Sequence, residues 1–221
     1  MQRFFDIVLS GFGLLLLAPL FLPLVLILRF TGEGEIFYTQ RRVGLGGQYF
    51  NILKFATMLK NSPNIGAGTL TMQNDPRVLP IGGFLRKTKI NELPQLFNVF
   101  FGNMSIVGPR PLVPEGEGHY NVEVSRLLRS VLPGLTGIGS LVLRDEESYY
   151  SHRSDARDFY RQIISPYKGS LEVWYVENKS IWLNVKIMVV TALTILVPSV
   201  NAVKYFAKLP QMPQEMIDSK I

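Results

Sequence analysis

Between Thr88 and Pro111 the sequence reads TKINELPQLFNVFFGNMSIVGPRP, and polar groups crowd the start of an apolar repeat. Leu93, Leu96, Phe97 and Phe100 recur at helical spacing. Pro94 is tolerated only in a first turn, which places the helix start near Asn91 and puts Asn91 at the N-cap, a position asparagine favours. A helix start points free N–H groups and a partial positive charge at whatever precedes it. Arg86, Lys87 and Lys89 lie just upstream, and Arg110 sits in the stiff sequence Gly108-Pro109-Arg110-Pro111. Four cations around a helix start predict a phosphate or pyrophosphate ligand. Glu92 is the anomaly, because a carboxylate held where anions bind is either ion-paired or chemically used. Asn91 is open between two roles, capping the helix and lining the site.

The elements that must position these residues are legible in outline. EIFYTQ (35–40) and QYFNILKF (48–55) are rich in aromatic and β-branched residues, and RRVGLGG joins them, so a β-hairpin with a glycine loop is expected, with Arg41 and Arg42 at its tip or shoulder. Residues 61–75 form a Gly/Asn/Pro/Thr-rich connection, in which Asp75 before Pro76 suits an Asx-type turn. Residues 7–30 are apolar but for Ser10 and Arg29, long enough to span a bilayer. Pro19 and Pro23 fall inside this run, and basic residues flank it on both sides, Arg3 before and Arg29, Arg41 and Arg42 after. A helix-break-helix that enters one leaflet and returns, broken at Pro19, satisfies both observations; a kinked spanning helix is the alternative. The second apolar stretch, 187–198, is too short to span and reads as a core or interfacial helix. The expected fold is therefore α+β: a mainly helical single domain with a small β-hairpin and an N-terminal membrane anchor, re-entrant (helix-break-helix) or spanning. Its divisions are an anchor over 1–32, a main domain over 33–200, and a tail over 201–221 that either lies on a membrane surface or frays.

Composition narrows the classes. Among 221 residues, 23 Lys and Arg against 17 Asp and Glu give a net charge of +6, which suits anionic partners. The chain has no cysteine, which excludes disulfides and thiolate metal sites. Mean hydropathy is positive, in keeping with membrane association. Basic residues are not interleaved with aromatics along one element, so nucleic acid is not an expected partner. His119 and His152 are the only histidines, have no metal-ligand spacing, and read as surface residues. Residues 144–158 (RDEESYYSHRSDARD) read as a solvated helix face or loop.

From about Arg3 to Thr194 the chain resembles the bacterial sugar transferases, the monotopic phosphoglycosyl transferases. The blocks that carry the likeness are the apolar run broken at Ala18-Pro19, FYTQRRVG, FNILKFATM, NDPRVLPIGGFLRKTKINELPQLFNV, GNMSIVGPRPL, LPGLTGIGS and PYKGSLEVWYVENKSIWLNVKI, in that order. The resemblance implies an enzyme at the cytoplasmic face of the bacterial inner membrane. Such an enzyme moves a sugar 1-phosphate from a nucleotide diphosphate sugar, usually a UDP-sugar, to polyprenyl phosphate. This is the first membrane step of surface glycan assembly, with Mg2+ as cofactor. Partners are then the nucleotide sugar, the undecaprenyl-type lipid phosphate and membrane lipids, with a homodimer admissible. It assigns chemistry to positions 91 and 92, phosphate binding to Arg86, Lys87, Arg110, Arg42 and Lys54, and Mg2+ ligation to Glu92. Glu172 and Tyr175 fall in the family's later acidic and aromatic segment.

The chain departs from that pattern where it matters most. The family has Asp-Glu at this helix start, the Asp attacking phosphorus, and here the pair is Asn91-Glu92. Asn103 and Asn184 also stand where Asp is expected, and Ala56 where arginine is common. Three readings follow: Glu92 acts as nucleophile, or as base for direct attack by the lipid phosphate; the chain is a trapped Asp-to-Asn version of an active enzyme; or it is a non-catalytic, membrane-bound scaffold that kept the fold.

Overall fold

A computed structural model describes residues 2–65, 71–72, 74–114 and 120–219. The chain divides into two compact units, Met1–Arg41 with Asn51–Ile106, and Arg42–Phe50 with Val107–Ile221.

The first unit opens with α1, a single helix over Gln2–Phe30 that contains both Pro19 and Pro23. The interruption expected at Pro19 is not present: helical structure continues through both prolines. Each interior proline costs about 3 kcal/mol. Just beyond them, Leu24 and Leu28 are buried and Phe21 and Val25 partly buried against Phe55, Leu85, Ile36, Ile81 and Ile90. At roughly 1.5–3 kcal/mol per buried apolar side chain, that packing matches the cost of the two prolines and holds the helical path. The opposite face is bare: Phe4, Phe12, Leu15, Leu16, Leu22 and Phe30 are 64–84% exposed. α1 is long and apolar enough to cross a membrane by length and composition.

β1 (Phe37–Val43) and β2 (Tyr49–Phe55) form the expected hairpin around a 3-10 turn at Leu45–Gly47. Gly46 and Gly47 take φ of 65° and 78°, which the turn requires. β1 runs further than expected, to Val43, so Arg41 and Arg42 lie in the end of the strand, at the shoulder of the hairpin and not its tip. The hairpin base belongs to the first unit and its tip to the second. α2 (Pro80–Lys87) starts on Pro80 and brings Gly82 so close to β2's exit that a Cβ there would lie 2.1 Å from the Thr57 carbonyl oxygen. α3 (Gln95–Phe101) ends on Gly102, whose φ of 95° and N–H donation to Asn98 O close the helix.

β3 (Ser105–Val107) carries the chain into the second unit and pairs with β4 (Gly134–Thr136). That unit is helical: α4 (Val122–Leu128), α5 (Ile138–Val142), α6 (Ala156–Phe159), α7 (Ser165–Asn178), α8 (Ile181–Leu196) and α9 (Gln214–Asp218). Ile138, Ile164, Leu171, Tyr175, Ile187 and Met216 are fully buried at its centre. The tail is packed rather than frayed. Met216 is inaccessible, Phe206 is buried under the Lys186 ammonium, and Tyr167 Oη lies 3.4 Å from Pro210 O.

Candidate active site

In the first unit the chemistry-bearing residues sit on the link between α2 and α3. Thr88 ends α2, and its hydroxyl donates back to Phe84 O at 2.8 Å. Lys89 then takes a left-handed conformation (φ 60°), unusual for a side chain with a Cβ, and reverses the chain into a 3-10 turn over Ile90–Glu92. Leu93 and Pro94 are already right-handed, with Pro94 capping α3. The expected N-cap role of Asn91 is therefore overturned. The tight turn places Asn91 four residues before the regular helix, and its side chain faces inward, 6% exposed, with Oδ1 lacking a hydrogen-bond partner among the described residues.

Glu92 is ion-paired. Lys54 Nζ lies 2.8 Å from its Oε1, with both side chains mostly buried (14% and 13% exposed). The register that creates this pair is set by Asn98 on α3. Its Oδ1 accepts from Leu53 N–H at 2.9 Å, and its Nδ2 donates to Asn51 O at 2.8 Å. The amide thus imitates a neighbouring strand along β2 and brings Lys54 level with Glu92. Gln95, one turn beyond Asn91, is 3% exposed and its Nε2 also lacks a partner. Neither Asn98 nor Gln95 stood out in the sequence, since both interrupt the apolar spacing without forming a motif. Two buried amides with one open acceptor and one open donor stand here beside an ion-paired carboxylate.

Arg86 and Lys87 occupy the last turn of α2, where positive charge suits the helix's carbonyl end. Arg86 Nη1 lies 3.7 Å from Met58 Sδ, and Lys87 is exposed. Asp75 forms the Asx-type turn expected of it, accepting from Arg77 N–H at 3.0 Å. It is also half of a buried ion pair: Arg77 Nε and Nη2 both reach it, while Nη1 holds Ser62 O and Ile65 O. The Arg77 guanidinium outweighs burial and brings the Asp75 carboxyl down to about 2.

Arg42 and Arg110 lie in the second unit, around the Gly108–Pro111 turn. Gly108 N–H donates to Thr136 O, Gly134 N–H to Pro109 O, and Val43 N–H to Leu112 O, at 3.0, 2.7 and 2.9 Å. Arg42 Nη1 donates to Pro111 O at 2.8 Å, so its guanidinium supports the backbone of this turn. Arg110 N–H donates to Oε1 of Glu172 on α7 at 3.2 Å. Glu172 is 2% exposed, and its Oε2 has no partner among the described residues. Burial pushes its carboxyl up to about 7, opposed by the Arg110 N–H and the charges of Lys168 and Arg110. Gly139 lies against it so tightly that a Cβ would stand 2.5 Å from Oε1. Tyr175 Oη lies 2.8 Å from Asn184 Oδ1 and 3.2 Å from Val107 O, so Asn184 serves the packing of α7 on α8. Asn103 is exposed in the turn after α3, His152 is exposed, and His119 lies outside the described residues. Among the described residues no group of three or more Asp, Glu or His is assembled for a metal ion.

The model of the family described as bacterial sugar transferase matches residues 1–198. The chain belongs to the bacterial sugar transferase family. Among its relatives is the exopolysaccharide production protein ExoY of Rhizobium meliloti, 39% identical over 162 residues that cover 67% of this chain and 71% of that protein. The undecaprenyl-phosphate glucose phosphotransferase of Komagataeibacter xylinus is 35% identical over 86% of this chain and 35% of its own length. The undecaprenyl-phosphate galactose phosphotransferase of Salmonella typhimurium is 33% identical over 89% of this chain and 40% of its own length. Membership makes the chain a transferase. The scaffold reading finds no support among these relatives.

Proposed function

We propose that this sugar transferase moves a sugar 1-phosphate from a UDP-sugar to undecaprenyl phosphate, the first membrane step in building a surface glycan. The observation that carries the reading is the Lys54–Glu92 pair beside the inward-facing Asn91 in a chain of this family. An amide nitrogen is not a nucleophile, so Glu92 is the only carboxylate at positions 91 and 92. Its Oε1 attacks the sugar-bearing phosphorus, the bond to the nucleoside monophosphate breaks, and that product leaves with the electron pair. A lipid phosphate oxygen then attacks the same phosphorus and releases Glu92. Lys54 holds the carboxylate aimed beforehand. Once Glu92 is esterified, the ammonium can neutralise the phosphoryl oxygens instead.

Mg2+ fits this donor set only in part. Glu92 and Asn91 Oδ1 offer two oxygens, and magnesium commonly takes one or two protein oxygens together with substrate phosphates. When bound, it would neutralise the diphosphate. On the second unit, Arg42 supports the Gly108–Pro111 turn that carries Arg110, and both are read as phosphate-binding residues.

The anchor is read as re-entrant, with both ends on the cytoplasmic face of the inner membrane. Support comes from the two ends of α1, since both pack on the same compact unit. Arg3 and Asp6 bond to the segment Val99–Ile106, and Leu24 and Leu28 bury against Phe55 and Leu85. Straight, a helix of 29 residues would be about 43 Å long and would carry its ends to opposite sides of a bilayer, so this reading requires α1 to bend at Pro19 and Pro23 while it remains helical.

Purified protein with Mg2+, undecaprenyl phosphate and a panel of UDP-sugars should release UMP. Intact mass should show a phosphosugar adduct that is absent in Glu92→Gln. Release without an adduct would assign Glu92 the role of a base, full activity in Glu92→Gln would remove it from the chemistry, and no release across the panel would overturn the reading.

A further inference from the structure

α1 is apolar along most of its length, yet its first turns carry Gln2, Arg3, Asp6 and Ser10. Asp6 is 4% exposed and Ser10 inaccessible. Polar groups on a lipid-seeking helix are costly unless partnered, and functional by default. The partners of Gln2, Arg3 and the Asp6 carboxylate come from one place, the C-terminus of α3 and the start of β3. Arg3 Nη1 donates to Val99 O at 2.5 Å and Nη2 to Phe100 O at 2.6 Å, carbonyls in the last turn of α3, of which Val99 O also receives the Gly102 N–H. The guanidinium also meets the negative end of that helix. Asp6 Oδ1 accepts from Ser105 Oγ and from Ile106 N–H, both at 2.9 Å, and Gln2 Nε2 donates to the same Ser105 hydroxyl at 2.8 Å. Gly102 leaves little room to spare, since a Cβ there would lie 3.2 Å from Arg3 Nη2. Two turns on, Gly11 and Gly13 let Phe100 and Leu96 approach the helix directly, each 3.3 Å from where a Cβ would stand.

These contacts join the lipid-seeking helix to the one that begins three residues after Glu92. We propose that Gln2, Arg3 and Asp6 form a latch that fixes the depth of α3, and hence of Glu92, relative to the lipid surface. They are positioning residues for the lipid-borne substrate, acting through α3 and touching neither substrate. The kinetic part rests on the function proposed above; the depth part does not.

The test uses the full chain in lipid nanodiscs. Arg3→Met with Asp6→Leu removes both charges together, so neither is left buried alone. Because the chain has no cysteine, Phe101→Cys, at a residue 73% exposed on α3, supplies one labelling site for quenching by brominated lipids. The latch predicts that the double variant remains membrane-bound but loses the quenching depth of the parent. It also predicts that KM for undecaprenyl phosphate rises about tenfold, while KM for the UDP-sugar and kcat stay within about twofold. The milder pair Gln2→Ala with Ser105→Ala should move the same two readouts in the same direction, and it carries the test if the charge variant fails to fold. Unchanged depth in variants that remain folded overturns the latch, as does an equal rise in both KM values. If the parent itself releases no UMP, the proposed function fails, and the depth measurement alone still decides the latch.

Discussion

Glu172→Gln should change the pH dependence of stability more than stability itself. Glu172 is inaccessible on α7, accepts the Arg110 N–H through Oε1, and leaves Oε2 without a partner among the described residues. Burial raises its carboxyl from 4.5 to about 7. Between those two values the unfolded chain has released this proton while the native chain keeps it, so native stability falls as pH rises through the window and is level above it. Integrated from pH 5 to pH 8, the loss is about 2.5 kcal/mol. Glutamine keeps a carbonyl oxygen for the Arg110 N–H and does not ionise. It replaces an unpartnered acceptor with an unpartnered donor, a penalty that is the same at every pH.

The difference in stability between variant and wild type should therefore grow in the variant's favour by about 2.5 kcal/mol from pH 5 to pH 8, whatever the offset at pH 5. For a chain of this length that is a relative shift in Tm of about 5–10 °C. Melting followed by the fluorescence of Trp174 and Trp182 in detergent micelles at constant ionic strength measures it. If the Tm curves of the two proteins run parallel from pH 5 to pH 8, the carboxyl is already ionised in the native state and the burial argument is wrong.

Three further outcomes follow from the first unit. Gly82→Ala drives a Cβ to within 2.1 Å of the Thr57 backbone oxygen, which cannot rotate away, and should cost more than about 2 kcal/mol in a urea titration in micelles. Asp75→Asn strands the Arg77 guanidinium in a buried site and should cost about 3–5 kcal/mol, while Asp75→Leu with Arg77→Met should recover part of that loss. Lys54→Met removes the cation on Glu92 and should lower UMP release about a hundredfold, with Lys54→Arg losing less.

How far the sequence could be read depends on whether the deciding partner was local. The hairpin was legible because its aromatic and β-branched runs and its positive-φ glycines lie within about twenty residues. The reach of β1 to Val43 was not, since the group that receives the Val43 N–H is Leu112 O, 69 residues away. The spacing of Leu93, Leu96, Phe97 and Phe100 gave α3 correctly, but its N-terminus slid. Pro94 fixed the first turn, while the left-handed Lys89 turned Asn91 inward, and no propensity scale gives that conformation to a lysine. Pro19 was read as a break by its own chemistry alone; the packing of Leu24 and Leu28 that overrides it comes from Phe55 and Leu85. Glu172 lay in a segment that looked structural or functional with equal justice. Its surroundings are built from a turn 62 residues earlier and a glycine on α5, so only the fold could show what it holds.

The asparagine at position 91 is electrostatically consistent with its surroundings. Glu92 is paired with the Lys54 ammonium, and its buried neighbour Asn91 is neutral. Asn91→Asp would add a second carboxylate at a site 6% exposed, where burial and the charge of Glu92 both oppose ionisation and Lys54 is the ammonium already paired with Glu92. Without a divalent cation the variant should therefore lose stability relative to wild type as pH rises from 5 to 8, by about 1–3 kcal/mol. Millimolar Mg2+ should restore part of that loss, because a second oxyanion creates a site that binds the native state alone. Activity separates two accounts of the same residue. If Glu92 carries the covalent step, UMP release in Asn91→Asp stays within about threefold of wild type. A gain of about a hundredfold would move the nucleophile to position 91 and leave Glu92 as its partner.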